Sequence, residues 1–320
     1  MSLICLIPSS EWDSAIFKKL AHNDTGAAIG NQAGILIPII LRPYFPGLPN
    51  STSSLNPTID AKIHAELFDG NNYVGSVDTR YQYQTRGGTR KPESRITDRL
   101  GTIRNIASGG DYLIFRRRIE SLHHYQLILV RKTSAFHAIV SALARSRRWG
   151  VLQDSAPMSE TDFVTAQQDE KVQESGSFQL FDNLASTTTS TVKRIARSLA
   201  FRISILSLYG ERCSICGQAL RDPKGFSELD AAHVVPRSLL GSNDARNGFA
   251  LCKRHHWAFD KGLIGVSDAR LILVPAVIKS ITANQSLIAL EGNPIREASA
   301  SKLRVHTEAF KWHRDNILIH

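Results

Sequence analysis

Short apolar runs separated by turn-forming residues dominate the first half of the chain. Three runs are rich in β-branched and aromatic residues and are bounded by Gly, Asn, Pro or Asp: GILIPIIL (34–41), DYLIFRRRI (111–119) and HHYQLILVRK (123–132). This pattern predicts strands. Helices are predicted near 11–21 and 134–146. Residues 1–152 are therefore expected to form a β-dominated domain with a few helices.

A polar, aperiodic stretch follows at 153–192 and includes QQDEKVQESGS and STTTST. Such a composition buries little apolar surface and is typical of a linker. Beyond it, TVKRIARSLAFRISILSLYG has the apolar spacing of a helix that ends at Gly210. GLIGVSDARLILV predicts a hairpin around SDAR, and HTEAFKWHRDNIL predicts a closing helix. A second domain is therefore predicted at 193–320, and the fold class is α+β.

Length and composition narrow the function classes. The 320 residues suffice for two domains with buried cores. A formal net charge of +10 and a pI of 9.6 favour a polyanionic partner over a merely basic protein. We expect no membrane span and no secretion signal, because the apolar start LICLIP is short and soon meets Glu11 and Asp13. Three of the four cysteines fall in one short region, which suits a metal site in a reducing cytosol better than a disulfide framework.

Two pairs of candidate metal ligands lie in the second domain. Cys213 and Cys216 form C-x-x-C in ERCSICG, and Cys252 and His255 form C-x-x-H in LCKRHH. Together they supply the four nitrogen and sulfur ligands that a closed tetrahedral zinc site requires. The alternative is a set of buried thiols and a stray histidine. The gap between the pairs is longer than in a zinc ribbon, so a second element must lie between them.

That element, LDAAHVVPRSLLGSNDARNGFAL, contains His233 and Asn247, and His256 follows it. With this order of His, Asn and His, residues 212–268 resemble the HNH nuclease family, whose ββα-metal module is a hairpin followed by a helix. The combination of AAH, NG and HHxxFD is most similar to the McrA-like, modification-dependent branch, and KWHRDNIL near the end is similar as well. The resemblance implies a zinc-stabilised nuclease domain with flanking helices.

Spacing along the predicted helix divides the candidate ligands between two sites. Each residue advances a helix by about 100°, so His256 and Asp260 share one face, while Cys252 and His255 share another about 90° away. Cys252 and His255 would complete the structural zinc site. His256 and Asp260 would hold a catalytic divalent cation, Mg²⁺, Mn²⁺ or similar. The alternatives are that Asp260 caps a following turn and that His233 is a core histidine.

The same residue types predict a mechanism for phosphodiester hydrolysis. His233, neutral near physiological pH, can act as a general base on water. A cation in the second site can stabilise the leaving oxygen. The resemblance implies that Asn247 orients the loop between hairpin and helix. Many family members place a metal-binding Asp or His directly before the base. Here Ala232 stands there, and strand alternation predicts that Asp230 faces away from His233.

Basic residues are concentrated around a predicted strand of the first domain. Between 80 and 104 there are seven, against two acidic ones: Arg80, Arg86, Arg90, Lys91, Arg95, Arg99 and Arg104. Alternation in RYQYQTR places Arg80, Gln82 and Gln84 on one face. Arg and Gln are side chains that read base edges in the major groove. The alternative is a solvated edge strand with protective charges.

Two stretches of the first domain, NDTGAAIGNQAGILIP and GGTRKPESRIT, resemble the amino-terminal effector domain of the EcoRII restriction endonuclease, a DNA-binding pseudobarrel. The resemblance covers residues 10–150 and implies two arms that grip the major groove, 23–32 and 86–95. The family often has His where this chain has Asn31, which leaves the recognised sequence open. The candidates for base reading are Asn31, Gln32, Arg86, Arg90, Glu93 and Arg95.

These features together predict a restriction-type endonuclease of the prokaryotic cytoplasm that binds double-stranded DNA through its pseudobarrel and cuts it with its HNH domain. The McrA-like resemblance implies dependence on modified cytosine. The alternatives are a sequence-specific enzyme for unmodified DNA, a non-catalytic zinc-containing DNA-binding regulator, and a nicking or homing nuclease. A single HNH site cuts one strand, so a double-strand break requires a homodimer or two successive nicks.

Overall fold

The computed structural model describes residues 2–7, 11–27, 34–48, 52–85, 91–119, 121–152, 157–182, 191–223 and 225–319. The chain divides into two compact units, Met1–Asp162 and Phe163–His320. This division falls inside the stretch predicted as a linker, 153–192. The mixture of sheet and helices confirms the α+β class. None of the helices within the described ranges is long and apolar enough to span a membrane.

Eight strands of the described residues form one mixed sheet in the amino-terminal unit. They are β1 (Ile16–Lys19), β2 (Ile35–Ile37), β3 (Thr58–Asp69), β4 (Asn72–Gln84), β5 (Glu93–Thr97), β6 (Tyr112–Arg117), β7 (His124–Val130) and β8 (Trp149–Val151). Their order is β2-β5-β4-β3-β7-β6-β1-β8, and only the pairing of β3 with β7 is parallel. Two helices, α1 (Gly101–Arg104) and α2 (Phe136–Ala144), lie in the connections.

The central strands of this sheet are buried on both faces. In β6, Leu113 and Phe115 belong to one apolar cluster, while Tyr112 and Ile114 belong to another. Successive side chains of a strand point to opposite faces, so a nearly continuous apolar sequence fits a strand that is covered on both. The strands predicted at 111–119 and 123–132 are confirmed, and so is the helix predicted near 134–146.

The helix predicted near 11–21 is wrong. Its centre is β1, which pairs with β6 on one side and β8 on the other. Ile16 and Phe17 enter different apolar clusters, so the extended chain buries both faces of a segment that a helix would bury on one. The strand predicted at GILIPIIL is also shorter than expected. β2 ends before Pro38, and Ile39–Tyr44 forms a 3₁₀ helix.

The stretch 153–192 is not a continuous polar linker in the structure, because its described part contains α3 (Glu160–Ser175). The helix begins with a reciprocal pair. The Asp162 N–H donates to Ser159 Oγ at 3.1 Å, and the Ser159 N–H donates to Asp162 Oδ2 at 2.9 Å. Such a pair satisfies backbone donors at a helix start. The S-x-x-D spacing in SETD carried this signal, but the low apolar content of the stretch concealed the helix.

The carboxyl-terminal unit combines helices with short hairpins. Its elements are α4 (Thr191–Leu208), β9 (Asp230–His233), β10 (Gly248–Leu251), α5 (Lys253–Asp260), β11 (Gly265–Val266), β12 (Ile272–Leu273), α6 (Ala276–Lys279), α7 (Gln285–Ile288) and α8 (Thr307–Asn316). β9 pairs antiparallel with β10, and β11 pairs with β12. The long helix after the polar stretch, the hairpin around SDAR and the closing helix are therefore confirmed.

One apolar cluster joins β10, α4, α5 and α8. At its centre Phe249 receives the rings of Phe259 and Phe310 edge-on, with centroids 5.0 and 5.7 Å away. Aromatic pairs of this geometry stabilise by about 0.5–1.5 kcal/mol beyond the burial of their area. The packing fixes α5 against the β9–β10 hairpin, and the candidate site is built on these two elements.

Candidate active site and metal centre

Four side chains with nitrogen or sulfur donors converge near the start of α5. The ligand atoms of Cys213, Cys216, Cys252 and His255 all lie within 4.8 Å of one another. His255 Nδ1 is 3.1 Å from Cys252 Sγ and 3.5 Å from Cys213 Sγ. Zinc–sulfur bonds of about 2.3 Å at tetrahedral angles separate neighbouring ligands by roughly 3.5–3.8 Å. The donor set and its spacing therefore fit a structural zinc ion.

Local backbone structure presents these ligands. The Gly217 N–H donates to the carbonyl oxygen of Cys213 at 2.8 Å and closes the turn that contains Cys216. Gly217 has φ +72°, a conformation that favours glycine. Cys252 is the N-cap of α5, and His255 lies in its first turn. Hydrogen bonds from Cys213 and His255 lower the pKa of Cys252 well below its ordinary value, which favours the thiolate form that binds zinc.

The candidate base, His233, is the last residue of β9. Its ring stacks on Phe201 of α4 with centroids 3.9 Å apart, and its Nε2 donates to Asn243 Oδ1 at 3.0 Å. Burial, together with the positive charges of Arg237 and His256, lowers the pKa of His233 to about 4. The imidazole is therefore neutral at pH 7. Because Nε2 carries the hydrogen, Nδ1 has the free lone pair that can accept a proton.

Two residues that support the base were not predicted from the sequence. Phe201 approaches closely because Gly248 stands opposite His233 in the hairpin, and a Cβ on Gly248 would lie 2.3 Å from Phe201 Cζ. Asn243 precedes Asn247 by four residues in the polar loop SNDARNG, where spacing alone does not mark it. The apolar periodicity of α4 indicated that Phe201 is buried, but it did not indicate that Phe201 packs against His233.

Asn247 is buried and holds a loop. Its Oδ1 accepts from the Val235 N–H at 2.9 Å, and its Nδ2 donates to the carbonyl oxygens of Val235 and Ser242 at 3.1 and 2.9 Å. These bonds close the connection between β9 and β10. The prediction that Asn247 orients the loop between hairpin and helix is therefore wrong. Asn247 orients the loop that connects β9 to β10. The amide faces the connection inside the hairpin, because Asn247 directly precedes β10.

His256 and Asp260 lie one turn apart on α5. His256 Nε2 is 3.4 Å from Asp260 Oδ2, close enough for both atoms to contact one divalent cation. Burial lowers the pKa of His256, but the hydrogen bond to Asp230 and the charges of both carboxylates outweigh burial and raise it. Burial also raises the pKa of Asp260. The sequence left Asp230 outside the site, yet its Oδ2 accepts from His256 Nδ1 at 2.9 Å.

The candidate DNA-reading residues are only partly described. Asn31, Gln32, Arg86 and Arg90 lie outside the described residues. Glu93 and Arg95 form an ion pair on β5, with Arg95 Nε 3.0 Å from Glu93 Oε1, and Arg95 is 5% exposed. Gln84 Nε2 donates to the same Glu93 oxygen at 2.8 Å. β4 lies between β3 and β5, which excludes the edge-strand alternative for RYQYQTR.

His313 gives the carboxyl-terminal unit a stability that should decrease in acid. Its ring stacks on Phe259 with centroids 3.6 Å apart, and its Nε2 donates to the Phe259 carbonyl oxygen at 3.0 Å. Burial lowers the pKa of His313 from 6.5 to about 4. The unfolded chain takes up the proton more readily, so this contribution is complete above about pH 6.5. It falls by about 3 kcal/mol between pH 6.5 and 4.

Urea unfolding of the wild type and of His313→Gln at pH 7 and pH 4.5 measures this contribution. We expect the wild type to lose more free energy of unfolding between the two pH values than the variant, because glutamine does not titrate. Equal losses in the two proteins would contradict the assignment.

Comparison with known proteins finds similar sequences and structures. Residues 213–267 match the sequence model of the HNH endonuclease family. The modification-dependent TagI restriction endonuclease is 20% identical with a TM-score of 0.30, over 38% of this chain and 39% of that one. The B3 domain of the UbaLAI restriction endonuclease, solved with cognate DNA, is 21% identical with a TM-score of 0.30, over 46% of this chain and 83% of that one. No curated protein matches the chain.

The family match covers the zinc ligands, the β9–β10 hairpin and α5. Residues 213–267 of the carboxyl-terminal unit are therefore similar to the domain of HNH endonucleases. The chain spans 39% of the length of the TagI enzyme.

Proposed function

We propose that the protein is a restriction-type DNA endonuclease that cuts with its HNH domain and prefers DNA containing modified cytosine. One observation carries the nuclease proposal. The matched domain contains both a neutral imidazole with a free Nδ1, His233, and a second imidazole, His256, that is paired with a carboxylate. A proton acceptor and a cation site are the two groups that phosphodiester hydrolysis requires.

In this mechanism His233 takes the proton from the attacking water. Its Nε2–H stays hydrogen-bonded to Asn243, so the ring accepts the proton at Nδ1. The stack on Phe201 holds the plane of the ring during this proton transfer. His256 and Asp260 would hold the divalent cation, which when bound stabilises the charge on the phosphate and the leaving oxygen. Asn247 keeps the β9–β10 connection closed, and this fixes the backbone that carries His233.

The zinc ligands serve the fold. Cys213 and Cys216 precede the hairpin, and Cys252 and His255 begin α5, so one ion would join the two ends of the module. The cation pair His256–Asp260 follows immediately on the same helix. Zinc bound at the first site would thus set the position of the second, without taking part in the reaction.

We assign target recognition to the amino-terminal unit, with double-stranded DNA as its partner and a pseudobarrel as its architecture. Support comes from the eight-stranded sheet and from the basic composition around β4 and β5. Glu93 and Arg95 form an ion pair with each other, so this pair would have to rearrange before either side chain contacts a base. The proposed setting is the prokaryotic cytoplasm, and a homodimer would cut both strands of a target.

A cleavage assay tests the proposal. Plasmids matched in sequence, with unmodified, methylated or hydroxymethylated cytosine, are incubated with the protein and Mg²⁺ or Mn²⁺. We expect cutting of modified plasmid, with little or none of the unmodified one. Equal cutting of all plasmids would remove modification dependence and favour a sequence-specific enzyme. A lack of cutting on every plasmid with every cation would contradict the nuclease proposal.

A further inference from the structure

The carboxylate of Asp230 is surrounded by three cationic or protonatable side chains. Its Oδ2 accepts from His256 Nδ1 at 2.9 Å. Lys253 Nζ donates to Oδ1 at 2.7 Å and to Oδ2 at 2.9 Å. Arg202 Nη1 lies 3.4 Å from Oδ1. The side chain of Asp230 is 20% exposed, so these bonds form in a partly desolvated place where they gain strength.

Asp230 reaches this place through the regular geometry of the hairpin. β9 pairs with β10 in unbroken register, with Asp230 opposite Leu251 and His233 opposite Gly248. Since Asp230 and His233 are three residues apart, they leave the strand on opposite faces. No bulge turns Asp230 toward the water that His233 would activate. Its carboxylate therefore acts from the far side of His256.

The two nitrogens of His256 have different partners. Nδ1 faces Asp230, and Nε2 faces Asp260 across 3.4 Å. A carboxylate only accepts hydrogen bonds when ionised, so Nδ1 carries the hydrogen and Nε2 keeps its lone pair for a metal. Lys253 and Arg202 form salt bridges with the same carboxylate, which accepts these bonds in its ionised form.

We propose that Asp230 is a positioning residue for the cation site, which holds His256 in the Nδ1–H tautomer and aims Nε2 at the divalent cation without binding the cation itself. The proposal rests on the proposed function, because it concerns the same catalytic site. Lys253 and Arg202 neutralise Asp230, so its charge does not attract the cation to the wrong side of the ring. Ala232, which precedes the base, offers no ligand, and this makes the orientation of His256 more important.

Binding of Mn²⁺, followed by electron paramagnetic resonance of the full-length protein, tests this role independently of cleavage. Asp230→Asn keeps the size of the side chain but allows an amide N–H to face His256 and favour the other tautomer. We expect Asp230→Asn to bind Mn²⁺ about 10–100-fold more weakly than the wild type. His256→Ala should bind none at this site. Zinc content and melting temperature of each sample report whether the domain is folded.

Two further measurements separate positioning from other roles. The loss of Mn²⁺ affinity in Asp230→Asn should be of the same size at low and at high ionic strength, because salt screens the effect of a lost charge but not that of a misoriented ring. The ¹⁵N chemical shifts of His256 should show hydrogen on Nδ1 in the wild type and a shift toward Nε2–H in Asp230→Asn. If the loss disappears at high ionic strength, or if the ¹⁵N shifts show the same tautomer in both proteins, charge and not orientation is responsible, and the proposal is overturned.

The proposal is also overturned if Asp230→Asn binds Mn²⁺ like the wild type, or loses it as completely as His256→Ala, which would make Asp230 a ligand. A wild-type protein that binds no Mn²⁺ at this site would overturn it as well. A wild type that binds Mn²⁺ through Asp230-oriented His256 yet cuts no DNA would support the positioning role and contradict the proposed function. Failure of the positioning role and failure of the proposed function therefore give different results.

Discussion

His233→Ala is expected to lower the rate of DNA cleavage by about 10³-fold while DNA binding stays unchanged. A positioned general base contributes roughly 10²–10⁴-fold, and alanine removes the lone pair on Nδ1. His233 is half-buried against Phe201 and does not touch the zinc ligands, so the variant should keep its zinc. Plasmid cleavage under single-turnover conditions and a DNA-binding titration measure the two effects.

His123→Ala is the matched control for this experiment, because it removes an exposed imidazole of the amino-terminal unit. We expect it to cut DNA at the wild-type rate. Cleavage by His233→Ala at more than a tenth of the wild-type rate would assign the proton transfer to another group. A parallel loss of DNA binding would instead show that His233 supports the fold or the substrate.

Cys213→Ser should release the structural metal and unfold the carboxyl-terminal unit. Structural zinc sites supply roughly 10–16 kcal/mol at neutral pH, as much as the whole net stability of an ordinary domain, about 5–15 kcal/mol. Cys213 is fully buried and faces both Cys252 and His255, so a hydroxyl there leaves an incomplete and poorly solvated ligand set. We expect zinc content near zero and loss of the cooperative unfolding transition of this unit.

Cys5 provides the control for the zinc experiment. It is a free cysteine, also fully buried, but it belongs to the amino-terminal unit and not to the ligand cluster. Cys5→Ser should keep one zinc per chain and lose only the stability that follows from a buried hydroxyl. Full zinc content and an unchanged transition in Cys213→Ser would contradict the structural role of the cluster.

The candidate site could be predicted in large part because its residues are marked by spacing. The C-x-x-C and C-x-x-H pairs, together with the helical separation of His256 from His255, indicate two sites on α5 from the sequence alone. Asp230 could not be placed in this way. Strand alternation correctly turns it away from His233, but its partner His256 lies on another element, and only the packing of α5 on the hairpin brings the two together.

The wrong predictions of secondary structure have a similar cause. The segment around Ile16 has apolar residues that suit a helix or a strand, and its pairing with two neighbours in the sheet decides for the strand. α3 was missed for the opposite reason. Its start is marked locally by Ser159 and Asp162, whereas its composition suggests a linker. Local signals thus indicate where elements begin, while long-range pairing determines what an ambiguous segment becomes.

Zinc and a catalytic cation should occupy different sites on α5, and His233 and the cation should act on one phosphate. Crystals of the protein grown with Mn²⁺ and a short target duplex, measured with anomalous scattering at the zinc and manganese edges, test this arrangement most directly. We predict zinc among Cys213, Cys216, Cys252 and His255, manganese beside His256 Nε2 and Asp260, and His233 Nδ1 facing the scissile phosphate. Manganese absent from His256, or a His233 ring turned away from the phosphate that the metal contacts, would contradict the account.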